Sequence, residues 1–433
     1  KPTQPHATHV LVRDGRILGV GGPEIAAPWG AVRHDDRFRD AVLLPGFVEA
    51  HSHMMTGALW DYLYCGNVDR VDPDGTLWPG VSTVDDMIER MKRAIESLPE
   101  GAPLVCWGFD PLFFEGDRLN RRHLDRASTE RPIAVIHQSF HLMTANSAAL
   151  ELAGYGPDTN AEGVPRLPDG TLMGELQEMA AMFPLMRRLN IGLQDLSRGE
   201  HAIVQFGKAA VQTGVTTATD LYAELEDDEL ETLLAVTARA DYPLRLVPAL
   251  GVIGMDPQAA VAKALAVRAR STDMLRMGIC KVMTDGSIQG FTARMNWPGY
   301  LGGQPNGIWN LEPARLKTLI AALHAAGLNM QLHTNGDEAS GFVLDAIEEA
   351  MWAHPTGDSR HTLQHCQMAG EDQFHRAARL GVCVNLFANH LWYYGDAHCD
   401  FTVGPDRAAR MNACRSALDN GVTLAIHSDS PVT

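Results

Sequence analysis

Four times in the second half of the chain a helical stretch stops at a glycine and a short apolar or β-branched run follows at once. The segments are A-A-V-Q-T-G-V-T-T-A-T at Gly214, A-L-H-A-A-G-L-N-M-Q-L-H at Gly327, A-A-R-L-G-V-C-V-N-L at Gly381 and A-L-D-N-G-V-T-L-A-I-H at Gly421. Glycine takes the left-handed conformation that closes a helix, so a strand can enter immediately. Helices alternating with strands in this way imply parallel strands joined by crossover helices. Eight strands are expected, near 43–49, 215–219, 244–250, 278–284, 328–333, 361–365, 382–387 and 422–427. Eight such units close into a barrel whose chemistry sits at the C-terminal ends of the strands. The expected fold class is α/β, a (β/α)8 TIM-like barrel, with an open doubly wound sheet as the alternative.

Two parts fall outside the repeat. Residues 1–42, with H-V-L-V-R-D-G-R-I-L-G-V-G-G, read as a hairpin-like part of a small β domain. The barrel is expected over 43–433. Within it, residues 60–198 separate the first two strands and are far too long for a connecting loop. They carry a helix at 83–97, apolar runs at 104–109 and 133–137 and a turn-rich stretch near 155–170. Such an insertion at the barrel mouth suits a lid or a substrate-shaping role; plain structural elaboration is the other reading.

The candidate chemistry lies where the strands end. His51 and His53 follow an apolar run in L-L-P-G-F-V-E-A-H-S-H. Residues two apart on a strand face the same way, so both imidazoles can grip one ion. A bare H-x-H is weak evidence, but His333, His365 and Asp429 each close a later strand. Opposite edges of an open sheet could not bring strands one and eight together, so a shared metal site favours barrel closure. His427, two residues before Asp429, shares its face if the strand runs that far, and either narrows the pocket or simply packs.

Composition sets limits on function. A net charge of -17 disfavours a nucleic-acid partner. No stretch of about 18 apolar residues is available for a membrane span, and the first residues lack a signal-peptide pattern. The seven cysteines are scattered, with no C-x-x-C pair, a reduced pattern. A cytoplasmic protein acting on a small molecule, with neither nucleic acid nor membrane as partner, is expected; a homo-oligomer is left open.

Six segments in order resemble the amidohydrolase superfamily, and within it the metal-dependent hydrolase branch (amidohydrolase family 3, YtcJ-like) that includes N-substituted formamide deformylases. They are L-P-G-F-V-E-A-H-S-H, H-L-M-T-A-N-S-A-A-L at 141–150, D-G-T-L-M-G-E-L-Q-E ending at Glu178, K-V-M-T-D-G-S-I-Q-G-F-T-A from Lys281, L-H-T-N-G-D-E-A, and H-S-D-S-P-V. The resemblance implies two divalent ions, zinc being the expected metal. His51, His53 and Asp429 would hold one, His333 and His365 the other, and Lys281, N-carboxylated to a carbamate, would bridge them. Unmodified, Lys281 would instead pair with Asp285 or touch substrate. Glu178 is offered as an oxygen donor from the insertion, with a solvated helix residue as the plain alternative. His427 is a departure, since the resembling proteins often carry glycine or another small residue there.

The implied reaction is hydrolysis of a C–N bond, of amide or N-substituted formamide type, by a metal-bound hydroxide. Asp429 would shuttle the proton from that water to the leaving nitrogen. His141, Glu178 and Trp392 are candidate substrate contacts, Trp392 as part of the aromatic run L-W-Y-Y-G. Asp337 is read as a cap of the helix that follows it. The alternatives are a mononuclear aminohydrolase (deaminase) with His365 as proton shuttle, and a non-catalytic barrel-fold binding or regulatory protein. The chain stops at Thr433, just after S-D-S-P-V, where the resembling family continues; the small β domain is therefore expected to be incomplete.

Overall fold

The computed structural model describes residues 6–191 and 198–432. Lys1–Pro45 and Gly46–Thr433 are two compact units. In the first, His9–Arg13 and Arg16–Gly21 form an antiparallel hairpin, followed by a 3-10 helix at Pro23–Trp29.

The second unit is built on an eight-stranded parallel sheet: Phe47–Glu49, Val215–Ala223, Arg245–Gly251, Ile279–Met283, Asn329–Thr334, Thr362–His365, Cys383–Leu386 and Leu424–Ile426. Its spatial order is the chain order, the arrangement of a singly wound barrel sheet and not of a doubly wound one. Gly214, Gly327, Gly381 and Gly421 all have left-handed backbone (φ 77, 65, 64 and 77°). The first and last strands meet at the C-terminal mouth: Ser52 bridges Ser430 in parallel, Asp429 N donates to His51 O (2.9 Å) and His53 N to Ser430 O (2.8 Å). The barrel is closed just beyond the strands rather than along them. Glu49 reinforces that seam, accepting from His51 N at 3.0 Å and Ser428 N at 3.3 Å. Leu246, Leu250, Val282, Leu332, Leu363 and Val384 join the helices in one apolar core.

The stretch between the first two barrel strands carries a second sheet. Its order is Glu175–Gln177, Leu142–Ala145, Ile133–His137, Leu104–Phe109, Leu63–Tyr64, with parallel and antiparallel pairs mixed. Both central strands are buried along their whole length. Alternate residues serve two cores: Val105, Trp107 and Ile136 pack with Leu185 and Met186 of the helix Glu178–Leu189. Cys106, Ile133 and Val135 pack with Met87, Ile88 and Met91 of the helix Val84–Ser97. That helix starts at Thr83, whose side chain accepts from Asp86 N at 3.0 Å, an ordinary N-cap. The expected insertion, 60–198, takes in residues 192–197, which lie outside the described residues, as do residues 1–5 and Thr433 of the expected domains.

The candidate metal centre

His51 and His53 lie two and four residues past the first strand, not on it as the two-residue period implied. They still face one point, because the Ser52 bridge keeps the segment extended. His51 Nε2 is 3.2 Å and His53 Nε2 3.3 Å from Asp429 Oδ1, yet that oxygen forms no hydrogen bond among the described residues. Lys281 Nζ is 3.4 Å from His51 Nε2. His333 Nδ1 and His365 Nε2 are 3.1 Å apart, and His365 Nδ1, 3.8 Å from Asp429 Oδ2, has no hydrogen-bond partner among the described residues.

These separations have a common meaning. Donors held at 2.0–2.1 Å around one tetrahedral zinc are separated by about 3.3 Å along each tetrahedron edge. The distances from His51 and His53 to Asp429, and that between His333 and His365, fall close to that spacing. Burial, together with the Lys281 charge for His51 and His333 and neighbouring histidines for His365, holds these imidazoles well below the ordinary histidine pKa. The shift favours the neutral form, the form that ligates. Burial works against ionisation of Asp429, but His51 and His53 more than reverse it and keep the carboxylate charged. The donor set fits divalent metal.

Groups behind the ligands fix their tautomers. His51 Nδ1 donates to Gln364 Oε1 at 2.7 Å, and that oxygen also accepts from Asn385 Nδ2 at 2.8 Å. Gln364 Nε2 in turn donates to Gln331 Oε1. His333 Nε2 contacts Gly286 O at 3.1 Å. His53 Nδ1 faces Asp220 Oδ1 at 4.0 Å. Gln364 immediately precedes His365, so H-T-L-Q-H supplies a candidate ligand and the orienter of another from one strand. Sequence reasoning missed Gln364, Asn385 and Asp220, whose partners are remote in the chain, and Glu49, which reaches distant Ser428 as well as nearby His51.

Lys281 is fully enclosed on the fourth strand, and burial brings its pKa down to about 7. The alternative Lys281–Asp285 ion pair does not form. Asp285 instead accepts from Arg294 N, Asn335 N and Gly336 N at 2.9–3.0 Å, which anchors the loop beyond the fifth strand. Asp337 is not the cap expected of it: Gly336 occupies that position, and Asp337 accepts from Asn296 N at 2.8 Å. His365 and Asp429 have left-handed backbone (φ 71 and 54°) without being glycine. Such strain, about 1–3 kcal/mol per residue, persists where the surroundings over-determine it and clusters at functional sites.

A cavity of about 30 Å³ is lined by His141, Gln289, His333, His365 and Asp429, space for about one or two waters. Gln289 also lines a cavity of about 150 Å³ with Phe109, Phe114, Leu119 and Phe291. His141 Nδ1 is 3.0 Å from Glu178 Oε2. Burial alone would lower the His141 pKa, but the Glu178 charge raises it, so the two form an ion pair. Glu178 thus stands with His141, at the head of its helix. Trp392 is 86% exposed and lines neither cavity. The seven cysteines are all free, and no described helix is long and apolar enough to cross a membrane.

Comparison with known proteins places this arrangement. A model described as amidohydrolase family matches residues 39–433. The chain is 25% identical to Protein LONG AFTER FAR-RED 3 of Arabidopsis thaliana, over 99% of this chain and 73% of that one. It is 24% identical to the N-substituted formamide deformylase of Arthrobacter pascens, over 98% and 77%. An uncharacterized metal-dependent hydrolase from Pyrococcus horikoshii has the same fold, with a TM-score of 0.67 at 17% identity over 98% of this chain and 79% of that one.

Proposed function

The chain belongs to the amidohydrolase family, and from that premise we propose that it hydrolyses the C–N bond of an amide, an N-substituted formamide being the first type to consider. The observation that carries the reading is the convergence of His51, His53 and Asp429 donor atoms at 3.2–3.3 Å, beside the His333–His365 pair at 3.1 Å. His51, His53 and Asp429 would hold one divalent ion and His333 and His365 a second, zinc fitting the nitrogen-rich donors. When bound, such ions lower the pKa of a water to about 7 and polarise a carbonyl.

Lys281 has the properties a bridge needs. With a pKa near 7, its neutral amine adds to carbon dioxide, forming an N–C bond and releasing one proton. The resulting carbamate would supply oxygen donors to the centre when metal is bound. Asp429, ionised and lining the small cavity, takes the proton of the attacking water and passes it to the nitrogen as the C–N bond breaks. Glu178 holds His141 Nδ1, which leaves Nε2–H free to donate to the substrate oxygen. The larger, phenylalanine-lined cavity that shares Gln289 suits an apolar substituent on that substrate.

The A. pascens relative supports this reading by its name; the A. thaliana relative's name states no activity, which keeps a binding role as the second reading. Metal per chain, measured by elemental mass spectrometry on protein purified with bicarbonate, tests the centre. Turnover across a panel of N-substituted formamides and amides tests the reaction. About two ions and turnover that Asp429→Asn lowers at least about 100-fold are expected. One ion with turnover of an aminated heterocycle would move the assignment to a one-metal deaminase. A metal-loaded chain inert to the whole panel would leave the binding role.

A further inference from the structure

His427 has no part in the roles above. It is buried, just past the eighth strand. Its ring stacks on His51, with centroids 4.7 Å apart and planes at 24°. It also stacks on Phe387 at 4.6 Å and 26°, and meets His365 near-perpendicular at 5.0 Å. Stacking accounts for the faces of the imidazole but not for its edge. Neither Nδ1 nor Nε2 has a hydrogen-bond partner among the described residues.

A neutral imidazole carries one N–H and one lone pair, and burying both unpaired is costly. Phenylalanine would make the same stacks without that cost, so packing alone does not explain a histidine here. One ring nitrogen from each of His51, His365 and His427 lies within 4.8 Å of the others. Because His51 Nδ1 is committed to Gln364, Nε2 is the nitrogen with its lone pair free. His365 Nδ1 is also unpartnered.

We propose that His427 is a metal ligand, completing with His51 and His365 a three-imidazole set that shares His51 with the His51–His53–Asp429 set and takes the single lone pair of His365 through Nδ1, in place of its pairing with His333. The inference rests on the reading of this mouth as a metal centre. A site enriched by a further imidazole favours zinc, cobalt or copper over magnesium or calcium.

The test is a titration of chelator-treated protein with cobalt(II), whose visible absorption reports its donors, in wild type, His427→Gly and His427→Phe. The phenylalanine variant keeps both stacks and removes both nitrogens. Both variants are expected to weaken cobalt binding at least about tenfold and to alter the spectrum, while circular dichroism shows H427F folded. H427F with wild-type affinity and spectrum would overturn the assignment, as would a loss confined to H427G. X-ray absorption of wild type at one equivalent of zinc needs no variant. Three imidazoles per ion are expected, and two would overturn the proposal. A wild type that takes up neither cobalt nor zinc would refute the metal centre itself, a failure distinct from that of His427 alone.

Discussion

Gln364→Leu isolates the support behind the ligands. The substitution nearly preserves volume at a position that is 1% exposed, so packing changes little. It removes the acceptor of His51 Nδ1–H (2.7 Å) and of Asn385 Nδ2–H (2.8 Å), and the donor to Gln331 Oε1. Each buried group left without a partner costs about 1–3 kcal/mol; His51 and Asn385 are buried and Gln331 only half-buried, so the metal-free protein should be destabilised by at least about 2 kcal/mol. Loss of the group that orients a histidine ligand typically costs about 10–100-fold in metal affinity. Urea unfolding after chelation reads the first quantity, and zinc or cobalt titration the second. Gln364→Glu separates the two: it gives His51 a stronger acceptor but sets a carboxylate oxygen against Gln331 Oε1. Metal affinity at or above wild type with lowered metal-free stability is expected for it. If Q364L unfolds within about 0.5 kcal/mol of wild type and binds metal equally well, His51 is not held by Gln364 and the argument fails.

Glu178→Gln should lower kcat/KM about 10–100-fold, as expected for loss of a positioned proton donor, with metal content unchanged; a loss of metal would instead make Glu178 a ligand. Chelation should lower the stability of metal-loaded protein by about 3 kcal/mol where free metal had stood at a hundred times Kd, seen as a fall in Tm that added zinc reverses. Acid sensitivity should arise partly at the closed end of the barrel. Met330 N donates to His361 Nδ1 (3.3 Å), His361 Nε2 meets His324 Nδ1 (2.9 Å), and His324 Nε2 meets His354 O (2.8 Å). Burial first, then His324, lowers the His361 pKa to about 4. The unfolded chain then binds more protons between about pH 6.5 and 4, so stability is present above that window and falls through it, by about 3 kcal/mol at most. His361→Gln should flatten the slope of urea midpoint against pH over that range; an unchanged slope would exclude the mechanism.

Local rules carried the barrel. Helix–glycine–strand junctions need a left-handed residue at one position, and all four glycines named for that role adopt it. All eight expected strands form, in chain order. The candidate ligands were legible for a similar reason: strand ends of a barrel face one mouth, whichever residues stand there. The period-two reading of His51 and His53 set them on a strand that in fact stops at Glu49.

Pairing between distant residues was not legible. The amide chain from Gln331 through Gln364 to His51 joins positions on three strands, and no spacing rule links them. Asp337 was taken for a cap from its neighbours, but Gly336 holds that position, and its amide and that of Asn335 bind Asp285, about fifty residues earlier in the chain. Trp392 sits in an aromatic run that suggests a pocket wall, yet an aromatic cluster has no direction until its helix is docked, and here Trp392 is exposed while Tyr394 is buried. By itself the sequence determined which backbone elements form and which residue types reach the mouth, because both follow from local conformational preference and periodicity. Only the tertiary structure decided which imidazole nitrogens lack a partner among the described residues, how Lys281 loses its hydration, and that His427 stacks on the candidate ligand His51, because burial and hydrogen bonding depend on groups that meet only when the barrel closes.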